Sequence, residues 1–291
     1  MTAEPGDPTG QPTAAGRGAP APAGGPDPAS RGAAPGPRLS VIVITRNEAA
    51  NIAECLASAA FADEWIVVDS GSADDTVALA QAHGARVVQT ADWPGFGPQK
   101  QRALELATGD WVLSIDADER VTPELAAEIR AALADPAADA YEMPRLSSYC
   151  GRFMRHGGWW PDRVLRLFRR GRARFSDHAV HERVIADGAV RRLRQPLIHY
   201  SYRDLESVLD KVNRYSTAGA QTLAARGRRG GLGAAIGHGL WAFLRTYLLR
   251  RGFLDGRHGF MLAVSNAEVT YYRYVKRMLM DEAREPAPPP R

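Results

Sequence analysis

From Leu39 onward the chain switches between two apolar patterns. LSVIVI (39–44), EWIVVD (64–69), ARVVQ (85–89) and DWVLSID (110–116) are short, β-branched and almost continuously apolar, as strands covered on both faces are. Between them, EAANIAECLASAA (48–60), DDTVALAQAHG (74–84) and PQKQRALELATG (98–109) read as helices, with Gly84 and Gly109 as stops. Strand and helix alternate three times. That predicts an α/β fold, a mostly parallel sheet covered by helices whose ligands bind beyond the carboxyl ends of the strands.

A helix over about 122–134, with Thr122 as N-cap and Pro123 at N1, leads to a short strand, AYEMP. Residues 145–200 lose the alternation and read as irregular, with extended pieces at RVLRLF, HERVI and PLIHYSY. Loops of this kind on a rigid scaffold fit the acceptor side of a site. From 204 the reading is helical, with Leu205, Val208, Leu209, Val212 and Tyr215 placed on one face. Residues 232–249, LGAAIGHGLWAFLRTYLL, are strongly apolar but interrupted by His238 and Arg245 and followed by Arg250 and Arg251. A bilayer span needs about 20 clean apolar residues. The segment reads instead as a helix lying in a membrane interface or packed on the core.

Composition alters this picture mainly at the ends. Residues 1–37 hold nine Pro, eight Gly and nine Ala and no aromatic residue, so they cannot bury enough surface to offset chain entropy. A disordered tail is expected there, and a second at 283–291. The remaining chain divides into an α/β domain, 38–203, and a helical, membrane-associating extension, 204–282. The tail lacks the apolar core of a signal peptide, so the expected location is the cytoplasm. Cys55 and Cys150, in no CxxC pattern, read as free thiols.

The formal charge is only +4, yet Arg163, Arg166, Arg169, Arg170, Arg172 and Arg174 crowd one stretch and Arg191, Arg192 and Arg194 another. Local positive surface points to an anionic partner. A nucleic-acid-binding module fits poorly, because the clusters lack regular aromatic interleaving and no helix-turn-helix or RRM motif is present.

The polar clusters fall at strand ends: Thr45-Arg46-Asn47-Glu48, Asp69-Ser70-Gly71-Ser72 and Asp116-Ala117-Asp118. They are expected to share one crevice. Asp116 and Asp118, at i and i+2 past a buried strand, project the same way, and a hard divalent cation, Mg²⁺ or Mn²⁺, would relieve their repulsion and keep positions open for phosphate oxygens. A lone DxD is also compatible with a solvated turn. Asp69, before a small-residue loop, can accept hydrogen bonds from a base or ribose. Ser72 and Asp75 resemble a capping box, and Asp74 and Asp75 suit a helix N-terminus. Lys100 and Arg102 precede the DxD strand and could reach phosphates or a sugar. Trp159 and Trp160 could stack on a sugar ring or pack inside. Arg166, Arg169 and Arg170 could hold a diphosphate or an anionic acceptor. His178 and His181 lack the further N or S ligands of a zinc site.

LSVIVITRNEAANI, WIVVDSGSADDT and WVLSIDADE, in that order and spacing, resemble the nucleotide-sugar domain of the family 2 glycosyltransferases, which have the GT-A fold. RVLRLFRRGRARFSDHAVHERV, PLIHYSYRDLESVLDKVNRYST and RRGFLDGRHGF are similar to the lipopolysaccharide core glycosyltransferase subgroup and extend the likeness to about residue 280. The resemblance implies that Asp69 contacts the base, that Thr45, Asn47 and Glu48 lie around base and ribose, and that Ser70, Gly71 and Lys100 border the donor. It also implies that Asp116 and Asp118 form the metal-binding DxD, with His199 a late metal or diphosphate contact; a hydrogen-bonded core histidine is the alternative for His199. An inverting transfer needs a carboxylate base. The family's usual Glu-Asp pair is missing, which leaves Glu182 as first candidate and Asp162 as second. The implied reaction moves a sugar from an NDP-sugar, UDP-hexose above all, to a lipid-linked saccharide at the inner face of the cytoplasmic membrane. A polyprenyl phosphate or another cell-envelope polysaccharide precursor is the alternative acceptor.

Overall fold

A computed structural model describes residues 36–176 and 183–283. Glu182, His178, His181 and the predicted tails up to residue 35 and beyond 283 lie outside the described residues. The first half follows the expected alternation: β1 (Leu39–Thr45), α1 (Ile52–Ser58), β2 (Glu64–Asp69), α2 (Thr76–Ala82), β3 (Arg86–Gln89), α3 (Phe96–Glu105) and β4 (Trp111–Ser114). β1, β2, β3 and β4 are parallel, in the order β3-β2-β1-β4. Alternate residues feed opposite layers. Val41, Val43 and Val67 pack with Leu125, Ile129 and Leu133, whereas Ile42, Ile66 and Val68 pack with Ala103, Leu104 and Phe168. Both sheet faces are therefore dry, which is why these strands read as unbroken apolar runs.

Residues 119–202 are more regular than the sequence implied. They supply β5 (Glu119–Val121), α4 (Pro123–Ala134), β6 (Ala140–Tyr149), β7 (Arg152–Phe153), β8 (Asp162–Arg169), β9 (Ala173–Phe175), β10 (Val184–Ala186), β11 (Val190–Arg192) and β12 (Leu197–Tyr202). The sheet continues as β4-β8-β6-β12-β5, and β8 runs antiparallel to both β4 and β6. Among the described residues, the stretch expected to be irregular at 145–200 thus supplies most of the mixed half of the main sheet, with β9 and β10 paired apart as a two-stranded antiparallel sheet. β7, β9, β10 and β11 are two or three residues long and partly or wholly exposed, so they lack the continuous apolar signal of the parallel half. Thr122 caps α4 as expected, its side chain accepting from Leu125 N at 3.1 Å, with Pro123 opening the helix.

The chain ends in α5 (Leu205–Ala225), α6 (Leu232–Leu244), a π-helical turn (Arg245–Leu249), a 3₁₀ turn (Gly252–Asp255) and α7 (Gly256–Glu282). Asp204 and Ser207 form a capping box at the start of α5. The buried stripe of α5 is Val208, Val212, Ser216, Ala220 and Leu223; of the other expected face members Leu205 and Leu209 are exposed, and Tyr215, partly exposed, lines a cleft. Two polar anchors tie these helices to the sheet. Tyr149 Oη lies 2.8 Å from Ser265 Oγ, and buried Asp255 accepts from Arg155 N and His156 N at 3.1 and 2.8 Å. Among the described residues no helix is long and apolar enough to cross a membrane.

Candidate active site

Strand register brings the polar ends together. Thr45 is level with Asp69, and Asp69 with Gln89. β4 stops at Ser114, opposite Ile42, and the chain runs on to Asp116 and Asp118. β12 then pairs His199 with Glu119 of β5 on one side and with Ser147 of β6 on the other. The result is a cleft of about 760 Å³, walled by Glu48, Asp116, Asp118, Asp162 and His199 on the sheet side and by Lys211, Arg214 and Tyr215 of α5 opposite.

Asp116 is held by two cations. Its Oδ1 is 2.8 Å from Lys100 Nζ and its Oδ2 2.5 Å from Arg166 Nη2. Burial acts to raise its pKa, but Arg166 and Lys100 outweigh it and keep the carboxyl well below the usual carboxylate range. Arg166 is buried too, which opposes its charge, yet Asp116 and Glu119 hold it even more firmly protonated than usual. Fully buried Glu119 is the second hub: Oε1 is 2.6 Å from Arg166 and 3.3 Å from Arg145, and Oε2 accepts from Asp116 N at 2.9 Å. Arg145 Nε and Nη2 also donate to Asp162 Oδ2 at 2.9 and 2.6 Å. The repulsion read from the acidic strand end is therefore relieved around Asp116 by side chains of the chain itself.

Asp118 stands outside that network. Its Oδ2 is 3.3 Å from His199 Nε2, and His199 Nδ1 is 2.8 Å from Ser147 Oγ. An Nδ1–H donated to the Ser147 hydroxyl leaves the Nε2 lone pair facing the cleft beside Asp118. Among the described residues no group of three or more His, Cys, Asp or Glu gathers to hold a metal ion. The donor set fits a Mg²⁺ or Mn²⁺ ion on two protein ligands, one carboxylate and one imidazole, with the remaining positions left to donor oxygens and water.

The loops after β1 and β2 lock one another. Buried Asp69 spends both oxygens internally, accepting from Thr45 Oγ1 at 2.9 Å, Gly71 N at 3.1 Å, and Ser72 N and Oγ at 2.8 and 2.5 Å. Gly71 takes φ +77°, which the turn requires of a glycine. Asn47, at φ +56°, donates its N–H to Ser72 Oγ at 2.8 Å and accepts from Ala73 N at 2.8 Å. Ser70 Oγ accepts from buried Gln99 at 2.9 Å. No Ser72–Asp75 capping box forms, because Ser72 is committed to Asp69 and Asn47; Asp74 instead accepts from Thr76 N at 3.1 Å. Glu48 lines the cleft, and burial raises its pKa, opposed by an Asn51 hydrogen bond of 2.6 Å and reinforced by nearby Asp118.

Several predicted ligand residues serve the fold. Arg166 pairs internally, Arg169 lies over the Trp111 ring at 5.0 Å, and Arg170 donates to Gly109 O at 2.7 Å; none of the three lines the cleft. Arg102 pairs with Asp92 at the surface at 2.8 Å. Trp159 packs against Tyr149 and Tyr202 while lining the cleft; Trp160 sits under Arg155 at 5.6 Å. What the sequence reading missed is the α5 wall. Lys211 Nζ donates to Ser201 O at 3.2 Å and lies 4.0 Å from the Tyr202 ring centre. Burial lowers its pKa, and Asp118 partly offsets this. No local pattern marks Lys211 or Arg214, since the cleft reaches them only through helix packing.

Fold and sequence together define a glycosyltransferase of the GT-A kind. The Glycosyl transferase family 2 profile matches residues 40–192, and the chain belongs to that family. It is 32% identical to an uncharacterized glycosyltransferase of Rickettsia typhi over 252 residues, 82% of this chain and 86% of that one. It is also 32% identical to the lipopolysaccharide core biosynthesis glycosyltransferase LpsC of Rhizobium meliloti over 253 residues, 82% and 91% of the two chains. Among solved structures, S. aureus TarS 1-349 in complex with UDP-GlcNAc aligns over 84% of this chain and 92% of that one, at 15% identity and TM-score 0.46.

Proposed function

We propose that the protein is an inverting, metal-dependent glycosyltransferase that moves a hexose from UDP-sugar to a lipid-linked saccharide of the lipopolysaccharide core, working at the inner face of the cytoplasmic membrane. The observation that carries this reading is the Asp118–His199 pair, 3.3 Å apart at the floor of a cleft with basic residues opposite. The likeness to LpsC supports the acceptor class.

In this reading Asp118 and His199 hold Mg²⁺ or Mn²⁺, and Asp116, fixed by Lys100 and Arg166, braces the turn that carries Asp118. A cation held by Asp118 and His199 would supply positive charge to offset the negative charge developing on the departing nucleoside diphosphate. Asp69, Thr45, Asn47, Ser70 and Gly71 shape the donor-side loop, and Glu48 faces the donor across it. Lys211, Arg214 and Arg163 line the cleft and meet an anionic acceptor. A carboxylate takes the acceptor hydroxyl's proton as the bond to the anomeric carbon forms. The candidates are Asp162, which lines the cleft, and Glu182. The same cleft would serve a polyprenyl-phosphate acceptor, whose phosphate the basic wall would equally attract.

The test is a melting-temperature screen of nucleotide sugars with Mn²⁺ or Mg²⁺, followed by UDP release on adding core oligosaccharide lipid or polyprenyl phosphate. A UDP-sugar should stabilise the protein only when metal is present. No stabilisation by any nucleotide sugar would sink the reading.

A further inference from the structure

Helix α6 is packed with its bulky side outward. Its inward residues are the small ones, Ala235, Gly239 and Ala242, all buried. At Gly239 the backbone approaches α7 so closely that a Cβ would stand 3.4 Å from that of Tyr271 and 3.5 Å from Ala267 O. The large apolar residues Leu232, Ile236 and Leu240 follow at i, i+4 and i+8 on the adjoining, exposed side, with Trp241 beside them; Leu240 is 58% exposed. An ordinary amphipathic helix of a water-facing domain turns such residues to the core. The apolar surface continues past α6 through Leu248, Leu249, Phe253, Leu254 and Phe260, with Leu249 65% exposed. Edge-on ring contacts of 5.5 to 6.3 Å among Phe243, Tyr247, Phe253 and Phe260 hold that corner together. A groove of about 380 Å³ between α6 and α7, bordered by Ile236, Leu240 and Phe243, adds to the same face.

Charge identifies the occupant. Residues 211–254 contain eight Lys and Arg and no Asp or Glu. Exposed Arg228 and Arg229 stand before α6 and exposed Arg245, Arg250 and Arg251 after it, so the apolar face is bracketed by guanidinium groups. A second copy of the chain docked face to face would set these cations against their own kind. A bilayer presents the complement: apolar chains for Leu240, Trp241 and Leu249, and lipid phosphates for the arginines.

We propose that this face, α6 with the π and 3₁₀ turns that follow it, docks on a lipid bilayer carrying anionic headgroups. The inference deepens the membrane part of the function proposed above, and its test reads lipid binding alone, so it can fail while transfer stands, or hold while transfer fails. Because α6 packs on α7 and α7 packs on α5, whose residues wall the cleft, docking sets the cleft beside the surface from which a lipid-linked acceptor projects.

Flotation of the full chain with vesicles provides the test. The wild type should float with an equimolar mixture of phosphatidylcholine and phosphatidylglycerol, only weakly with phosphatidylcholine alone, and less as salt rises. Leu240→Glu with Trp241→Glu should weaken binding by about a hundredfold. Arg250→Glu with Arg251→Glu should weaken it by about tenfold or more and flatten the salt dependence. Unchanged thermal melts verify that these exposed substitutions leave the fold intact. Independently of those variants, brominated phosphatidylglycerol should quench the wild type's tryptophan emission, and Trp241→Phe should lose most of that quenching. A chain that stays unbound with both vesicle types, that sediments as a dimer and ignores lipid, or that keeps wild-type binding in the Leu240/Trp241 variant overturns the proposal.

Discussion

Lys100 Nζ lies 2.8 Å from Asp116 Oδ1, so the helix before β4 supplies a cation to the acid that follows β4. Asp116 and Asp118 both reach the cleft and are half-buried alike, but with Arg166 on its other oxygen Asp116 is doubly paired, whereas Asp118 two residues later meets the His199 imidazole. The two acids of one DxD therefore have different physics, and substitutions should separate them. Asp116→Asn removes the charge that buried Lys100 and Arg166 share and should lower stability by about 1–3 kcal/mol in urea unfolding. Asp118→Asn should change stability by less than about 1 kcal/mol and abolish the melting-temperature rise given by UDP with Mn²⁺.

Acid titration should show the same pair. The folded-state pKa of Asp116 is lowered, so the unfolded chain binds the proton more readily and stability rises with pH across that window. Its contribution is complete above the ordinary aspartate value of about 3.9 and is lost as pH falls from there toward the depressed folded value. The difference in unfolding free energy between wild type and Asp116→Asn should therefore shrink below about pH 4.

Lys211 titrates from the opposite side. Burial lowers its pKa, so its charge disappears earlier on an alkaline ramp than that of a surface lysine. Acceptor KM should rise on the alkaline limb, and Lys211→Arg should move that limb upward, because arginine stays charged. A profile identical in wild type and Lys211→Arg would remove Lys211 from acceptor binding.

The general base can be assigned by turnover. Asp162→Asn and Glu182→Gln are each to be measured for kcat and for donor KM. The variant that loses the base should fall by about 10²–10⁴ in kcat with donor KM nearly unchanged. Arg145→Gln, which removes the partner of Asp162, controls for the loss of that ion pair.

Gly109 reads in the sequence as a helix stop, but its constraint is one of space. A Cβ there would stand 2.6 Å from Ser40 Oγ, 2.8 Å from Arg38 O and 2.9 Å from Ser40 N. Gly109→Ala should cost about 1–3 kcal/mol, read as a lowered urea midpoint with unchanged slope.

The parallel half of the sheet was legible because its physics is local. Strands dry on both faces must be continuously apolar, and the helices between them must carry a 3.6-residue stripe, so β1, α1, β2, α2, β3, α3 and β4 lie close to where the pattern puts them. The Thr122–Pro123 start of α4 was legible for the same reason, since a cap is read over four residues. The stretch after α4 was less so, because short strands such as β7, β9 and β11 carry too few residues for a period.

The sequence by itself determined the α/β alternation, the polar ends of β1, β2 and β4, and the family likeness those ends carry, because each is written in neighbouring residues. Only the tertiary structure decided which charges meet. Placing β8 beside β4 brings Arg166 to Asp116, pairing β12 with β5 and β6 sets His199 beside Asp118, and packing α5 across the cleft adds Lys211 and Arg214. It also decided that α6 turns its small residues inward and its leucines out. A charge acts over ångströms of space rather than positions in the chain, so these partners, dozens of residues apart, leave no local pattern to read.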